Sequence, residues 1–142
     1  MGIMDKNKLS DEQALTATAD STNTINLYSL KPGNAGRLWL NVRVDGTALA
    51  DGSSTGTLTI AIHSSADDST FYVNLQSPPL TEAGGDFTAY NWLWQTPLPA
   101  GTLQYVKLVY TTNTLNAGTV SAWISDNVDL GVSSTAVTTP AA

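Results

Sequence analysis

Nine residues, Arg37 to Asp45, read Arg-Leu-Trp-Leu-Asn-Val-Arg-Val-Asp and alternate without a break. Leu38, Leu40, Val42 and Val44 share one parity, while Arg37, Trp39, Asn41, Arg43 and Asp45 share the other. Successive side chains of a strand point to opposite faces, so a strand gathers the four aliphatic groups on one side. That side is core, because the opposite choice buries two arginines. Trp39 is therefore expected to point outward. The run 119–125 repeats the pattern, with Val120, Ala122 and Ile124 set against Thr119, Ser121, Trp123 and Ser125. Trp123 falls on its polar parity.

A chain with this signature needs a partner sheet, and the rest of the sequence supplies the strands. Sustained helical periodicity is hard to find, while Thr, Val, Ser and aromatic residues are interrupted at short intervals by Gly, Asn and Pro. Strands are expected over 14–19, 24–30, 37–45, 57–63, 71–76, 87–95, 102–112 and 119–125. Between them lie segments such as 31–36 (KPGNAG), 77–85 (SPPLTEAGG) and 96–101 (TPLPAG), rich in residues that supply positive or fixed φ. The fold class is all-β: an antiparallel β-sandwich, jelly-roll-like, of about eight strands. One helical turn is plausible at Ser10 to Gln13, which have the spacing of a capping box. The expected division is an N-terminal arm over 1–13, the sandwich over 14–128 and a small, polar C-terminal tail over 129–142.

Two segments carry apolar bulk on both parities. In 105–110, Val106, Leu108 and Tyr110 oppose Tyr105, Lys107 and Val109. In 87–95, Tyr90, Trp92 and Trp94 oppose Phe87, Ala89, Asn91 and Leu93, and parity does not decide which side is core. Such aromatics either plug a sandwich or form a contact surface, where Trp and Tyr supply large area at little entropic cost.

Charge and length narrow the function classes. The 142 residues are the usual size of one domain, with six Lys and Arg against twelve Asp and Glu, a net charge of −6. The six cations are scattered, so the cationic stripe that phosphate binding needs is missing and no direct nucleic-acid contact is expected. With no cysteine there is neither a disulfide framework nor a thiolate site. The N-terminal run has no apolar signal core, and no apolar run approaches the roughly 20 residues that span a bilayer, so no membrane partner is expected.

No residue pattern points to catalysis. His63 is the one histidine, at the end of a strand and on its polar parity. A triad could be assembled on paper with Ser64, Ser65, Asp67 or Asp68, but nothing resembles a nucleophile elbow. One histidine does not make a typical zinc site, and residues 126–131 (DNVDLG) lack the ligand spacing of an EF-hand loop. We expect no enzyme, no cofactor and no metal.

Three segments carry a resemblance. Residues 5–27 (DKNKLSDEQALTATADSTNTINL), 98–110 (LPAGTLQYVKLVY) and 116–124 (NAGTVSAWI) look like the capsid cement, or decoration, proteins of tailed phages, in the group resembling the Bordetella-phage cement protein. The match runs in order over nearly the whole chain, with the middle aligning as alternating strands. It implies a jelly-roll-like subunit on the outer surface of an icosahedral shell, in virions assembled in the host cytoplasm. There it would bridge neighbouring copies of a major capsid protein and stabilise the shell against packaged DNA. It also implies self-association as a homodimer or homotrimer. The candidate contacts are Tyr105, Lys107 and Val109, with Trp39 and Trp123, and Leu9 within an arm at 5–15. The competing reading is a carbohydrate- or receptor-binding module of a phage particle, since Trp39, Trp92, Trp94 and Trp123 would suit sugar rings.

Overall fold

A computed structural model describes residues 8–27, 38–53, 55–99 and 101–125. Ten strands run through them: β1 (Lys8–Ala14), β2 (Ala19–Asp20), β3 (Ile25–Asn26), β4 (Trp39–Val44), β5 (Thr57–Ser65), β6 (Tyr72–Gln76), β7 (Leu80–Thr81), β8 (Trp92–Pro97), β9 (Tyr105–Asn113) and β10 (Thr119–Ser125). All pairings are antiparallel. One sheet has the order β1-β10-β4-β8; the other has β2-β9-β5-β6, with β3 also on β9 and β7 also on β5.

The topology is that of a long hairpin rolled up. The first strand pairs with the last (β1 with β10), the next segments with the one before it (β2 and β3 with β9), then β4 with β8 and β5 with β6. Rolling brings β10 onto β4 and β9 onto β5, which completes two sheets. With β2 and β3 counted as one interrupted strand, and β6 and β7 as another, this is the eight-strand jelly roll.

The core lies between the sheets and follows the alternation. Leu40, Val42 and Val44 of β4 and Val120, Ala122 and Ile124 of β10 face Leu58, Ile60 and Ile62 of β5 and Val106, Leu108 and Tyr110 of β9, all fully buried. Leu15, Leu49, Phe87 and Leu115 from the connections close the ends. Gly118 sits where the chain enters β10 with φ of 109°, and a Cβ there would lie 2.5 Å from Leu49 Cα and 2.6 Å from Ala48 O. Only glycine combines that backbone with that approach.

Three expectations are corrected. Residues 8–13, read as part of an arm with a helical turn, belong to an integral strand, Lys8–Ala14, on β10. The register slips twice along it, between Lys8 and Ser10 and again between Ser10 and Gln13. Glu12 takes φ of 52° in the second slip, and its N–H donates to Ser121 Oγ at 3.1 Å. The Ser10 hydroxyl does donate to Gln13 Oε1, at 2.7 Å, but the contact closes a bulge and not a helix. Second, 14–19 is not one strand: Ala14 ends β1 opposite Thr119, 16–18 is a bend, and Ala19 begins the two-residue β2. Third, 87–95 is not one strand. Residues 86–90 form turns that place Phe87 in the core, and β8 starts at Trp92. The expected tail at 129–142, the loop 126–131 and residue Arg37 lie outside the described residues.

Candidate functional site

Five of the six candidate contacts lie on the two outer faces of the sandwich, on opposite sides of the molecule. On the outer face of the second sheet, Tyr105, Lys107 and Val109 of β9 are half-buried. Lys107 Nζ reaches Asp20 at 2.9 Å and stands 4.4 Å above the Phe71 ring, so one cation ties β2 to the segment before β6. His63 lies across from Lys107 on β5. Burial, and then the Lys107 charge, hold its imidazole below the usual range. The hydroxyls of its neighbours are engaged elsewhere: Ser64 Oγ donates to Asn74 Oδ1 and accepts from Leu103 N, and Ser65 Oγ donates to Asp67 at 2.8 Å. The paper triad is therefore not assembled.

On the outer face of the first sheet, Arg43 is the organising residue. Its guanidinium stands 5.5 Å from the Trp123 ring centre, 5.7 Å from Tyr90 and 5.9 Å from Trp92. Trp92 and Trp123 meet at 5.6 Å with planes tilted by 55°. Cation–π and tilted ring contacts of this kind are each worth about 0.5–1.5 kcal/mol beyond area burial. Beside them Arg43 faces Asp45 at 3.8 Å, and Asp45 accepts the Ser121 hydroxyl at 2.7 Å. Asn41, fully buried although it points away from the core, donates to Ser125 Oγ at 3.0 Å and accepts from Gln95 Nε2 at 2.9 Å. These crosslinks run across β10, β4 and β8 and tie the three strands together on this face.

This corrects the expectation for Trp123. Its side chain does leave the core, as parity requires, but Arg43 and Trp92 cover it and it is 3% exposed. Trp39 lies on the same face and is half-buried, flanked by Ser125 and Pro97. Leu9 is fully buried in the core and cannot be a surface contact. The six candidates thus divide into three on one face, two on the other and one inside.

Tyr90 lies outside that set and is the most exposed large hydrophobic residue on the described surface, at 64%. Its φ of 65° is left-handed, and its ring lies over Gly46, where a Cβ would meet the Tyr90 hydroxyl at 2.9 Å. The ambiguous tryptophans are resolved by a bulge. Val42 pairs with Trp94 and Arg43 with Trp92, so the two sit on different faces despite equal parity. Trp92 joins the Arg43 cluster, Trp94 packs on the core and Leu93 is buried.

The family model for Bbp16 matches residues 9–124, from the buried Leu9 to the last core residue of β10. The chain belongs to the Bbp16 family. Its name is consistent with a protein of a Bordetella phage. A search of curated proteins returns no match. The match to Bbp16 begins within β1 and so includes the strand that closes the first sheet.

Proposed function

We propose that this member of the Bbp16 family is a virion structural protein that binds the outside of an icosahedral capsid and cements neighbouring major-capsid subunits. The observation that carries the proposal is the placing of aromatic contact area on both outer faces of one sandwich. Trp39, Tyr90 and Trp92 serve one side, and Tyr105 and Phe71 with Val109 the other. A protein that links neighbours needs contacts pointing in more than one direction. Each contact can be modest, because the second forms at high effective concentration once the first is made. The family's phage-related name supports the same reading. Self-association as a homodimer or homotrimer belongs to the proposal, since shell positions are related by symmetry. A net charge of −6 is compatible with a place outside the shell, away from the packaged DNA.

The test is to mix the purified protein with undecorated, expanded shells of the phage that encodes it. Saturable co-sedimentation and a higher shell disruption temperature are expected. Shells that neither bind the protein nor gain heat resistance would refute the proposal. One observation favours a second reading: exposed Tyr90 and half-buried Trp92 both border Arg43, and aromatic side chains of this kind can stack on sugar rings. Glycan-array binding that disappears in Tyr90→Ala, without shell binding, would favour that reading.

A further inference from the structure

Strand β6 is the outermost full strand of its sheet. β5 occupies one of its edges, and among the described residues no strand pairs with the other. A free edge offers a row of N–H and C=O groups to any extended chain, and natural proteins blunt such edges with charge, proline or bulges. β6 reads Tyr-Val-Asn-Leu-Gln and has no charge. Its one irregularity, at Asn74, is pinned by Ser64 Oγ and by an Asn74 Nδ2 bond to Gly101 O at 3.4 Å. Tyr72 is 61% exposed, Val73 58%, Leu75 37% and the adjoining Leu103 39%. The two aromatic faces described above leave this edge unused.

The charges around the edge select its occupant. The turn 66–70 that leads into β6 carries Asp67 and Asp68 and no cation. Asp67 accepts hydrogen bonds from Thr70 N, Ser65 Oγ and Ser69 N, which hold its carboxyl below the usual range. A strand added antiparallel to β6 brings its C-terminal end to this turn. A second copy pairing β6 on β6 in that sense would bring 77–82, Ser-Pro-Pro-Leu-Thr-Glu, which offers no cation and two residues that lack an N–H. Charge complementarity therefore favours a different chain.

We propose that the β6 edge takes, by strand addition, an extended segment of the shell protein that is apolar at alternate positions and carries Lys or Arg at the end facing Asp67 and Asp68. The inference rests on the shell-binding reading above and assigns it a surface. The test uses the full chain with Val73→Lys, which sets a charge on the edge and repels the incoming cation, and Tyr72→Lys repeats it at a second exposed position. Circular dichroism and melting report the fold. Both variants are expected to fold and to weaken shell co-sedimentation by about tenfold or more; Asp68→Asn is expected to reduce the salt dependence of binding. If both lysine variants fold and bind shells as the wild type does, the edge is not the site, though shell binding itself stands. If the wild type does not bind shells, both readings fall. If the lysine variants lose self-association in sedimentation velocity while shell binding is unchanged, the edge belongs to a second copy and the proposal is overturned.

Discussion

Replacing Leu9 with alanine tests whether the N-terminal segment is an arm or part of the fold. Leu9 is fully buried within the core cluster. Buried Leu→Ala changes cost about 2–5 kcal/mol, from lost transfer energy and from the cavity left behind. Here the lower part of that range, about 2–3 kcal/mol, applies, because β1 is an edge strand with two register slips and can partly collapse into the gap. With a urea m-value of about 2 kcal/mol/M, the unfolding midpoint should fall by about 1–1.5 M. Leu103→Ala is the control. That residue is 39% exposed, and its loss should move the midpoint by less than about 0.5 M. Tryptophan fluorescence follows both transitions. A Leu9→Ala protein that unfolds at the wild-type midpoint would show that Leu9 is not core and would return 1–13 to the role of an arm.

Other consequences follow from particular contacts. Gly118→Ala combines a left-handed φ with a backbone approach of 2.5 Å, so it should destabilise by about 2–5 kcal/mol in the same assay, where an ordinary surface glycine would move little. Tyr110 OH and Ser10 Oγ are 2.8 Å apart between the two sheets, and since Ser10 gives its proton to Gln13, the tyrosine is the donor. Ser10→Ala leaves that buried donor without its acceptor and should cost about 1–3 kcal/mol, while a double-mutant cycle with Tyr110→Phe should recover part of the loss. Asp51 accepts bonds from Thr55, Ser53 and Thr114, which hold its carboxyl well below the ordinary 3.8. A folded-state value below the unfolded one gives stability that is present above the unfolded value and is lost as pH falls below it. Melting temperature should therefore drop less steeply on acidification in Asp51→Asn than in the wild type.

The strands that obey strict alternation were legible, and those that break it were not. Leu38 to Val44 and Val120 to Ile124 were assigned to the right face because one parity is aliphatic and the other polar. β1 was hidden because its bulges turn the consecutive residues Leu9 and Ser10 both inward, which destroys the period-2 signal. The bulge in β8 had the same effect, separating Trp92 from Trp94 where equal parity placed them together. β2 and β3 are two residues each, too short to hold a pattern. For the candidate contacts, parity told which face each side chain of β4, β9 and β10 leaves by, but not what covers it. The cover over Trp123 comes from Arg43 and Trp92 on strands distant in sequence. Strand β6 was placed correctly, yet its position at the edge of a sheet is a property of the topology alone.

The pairing of first strand with last also sets an order of events during synthesis. Lys8 meets Trp123, so β1 leaves the ribosome long before its partner exists. At about 5–20 residues per second, roughly ten seconds separate the two. During that interval β1 lacks its strand partner and can bond only to the segment just after it, through Asn23 N to Leu9 O, while the edge of β4 that will receive β10 stands open. The nascent chain can complete its second sheet first, through β9 and β5, but it cannot close the first. A chain terminated before Thr119 therefore loses two strands of the first sheet and not one, because β1 has nowhere else to pair.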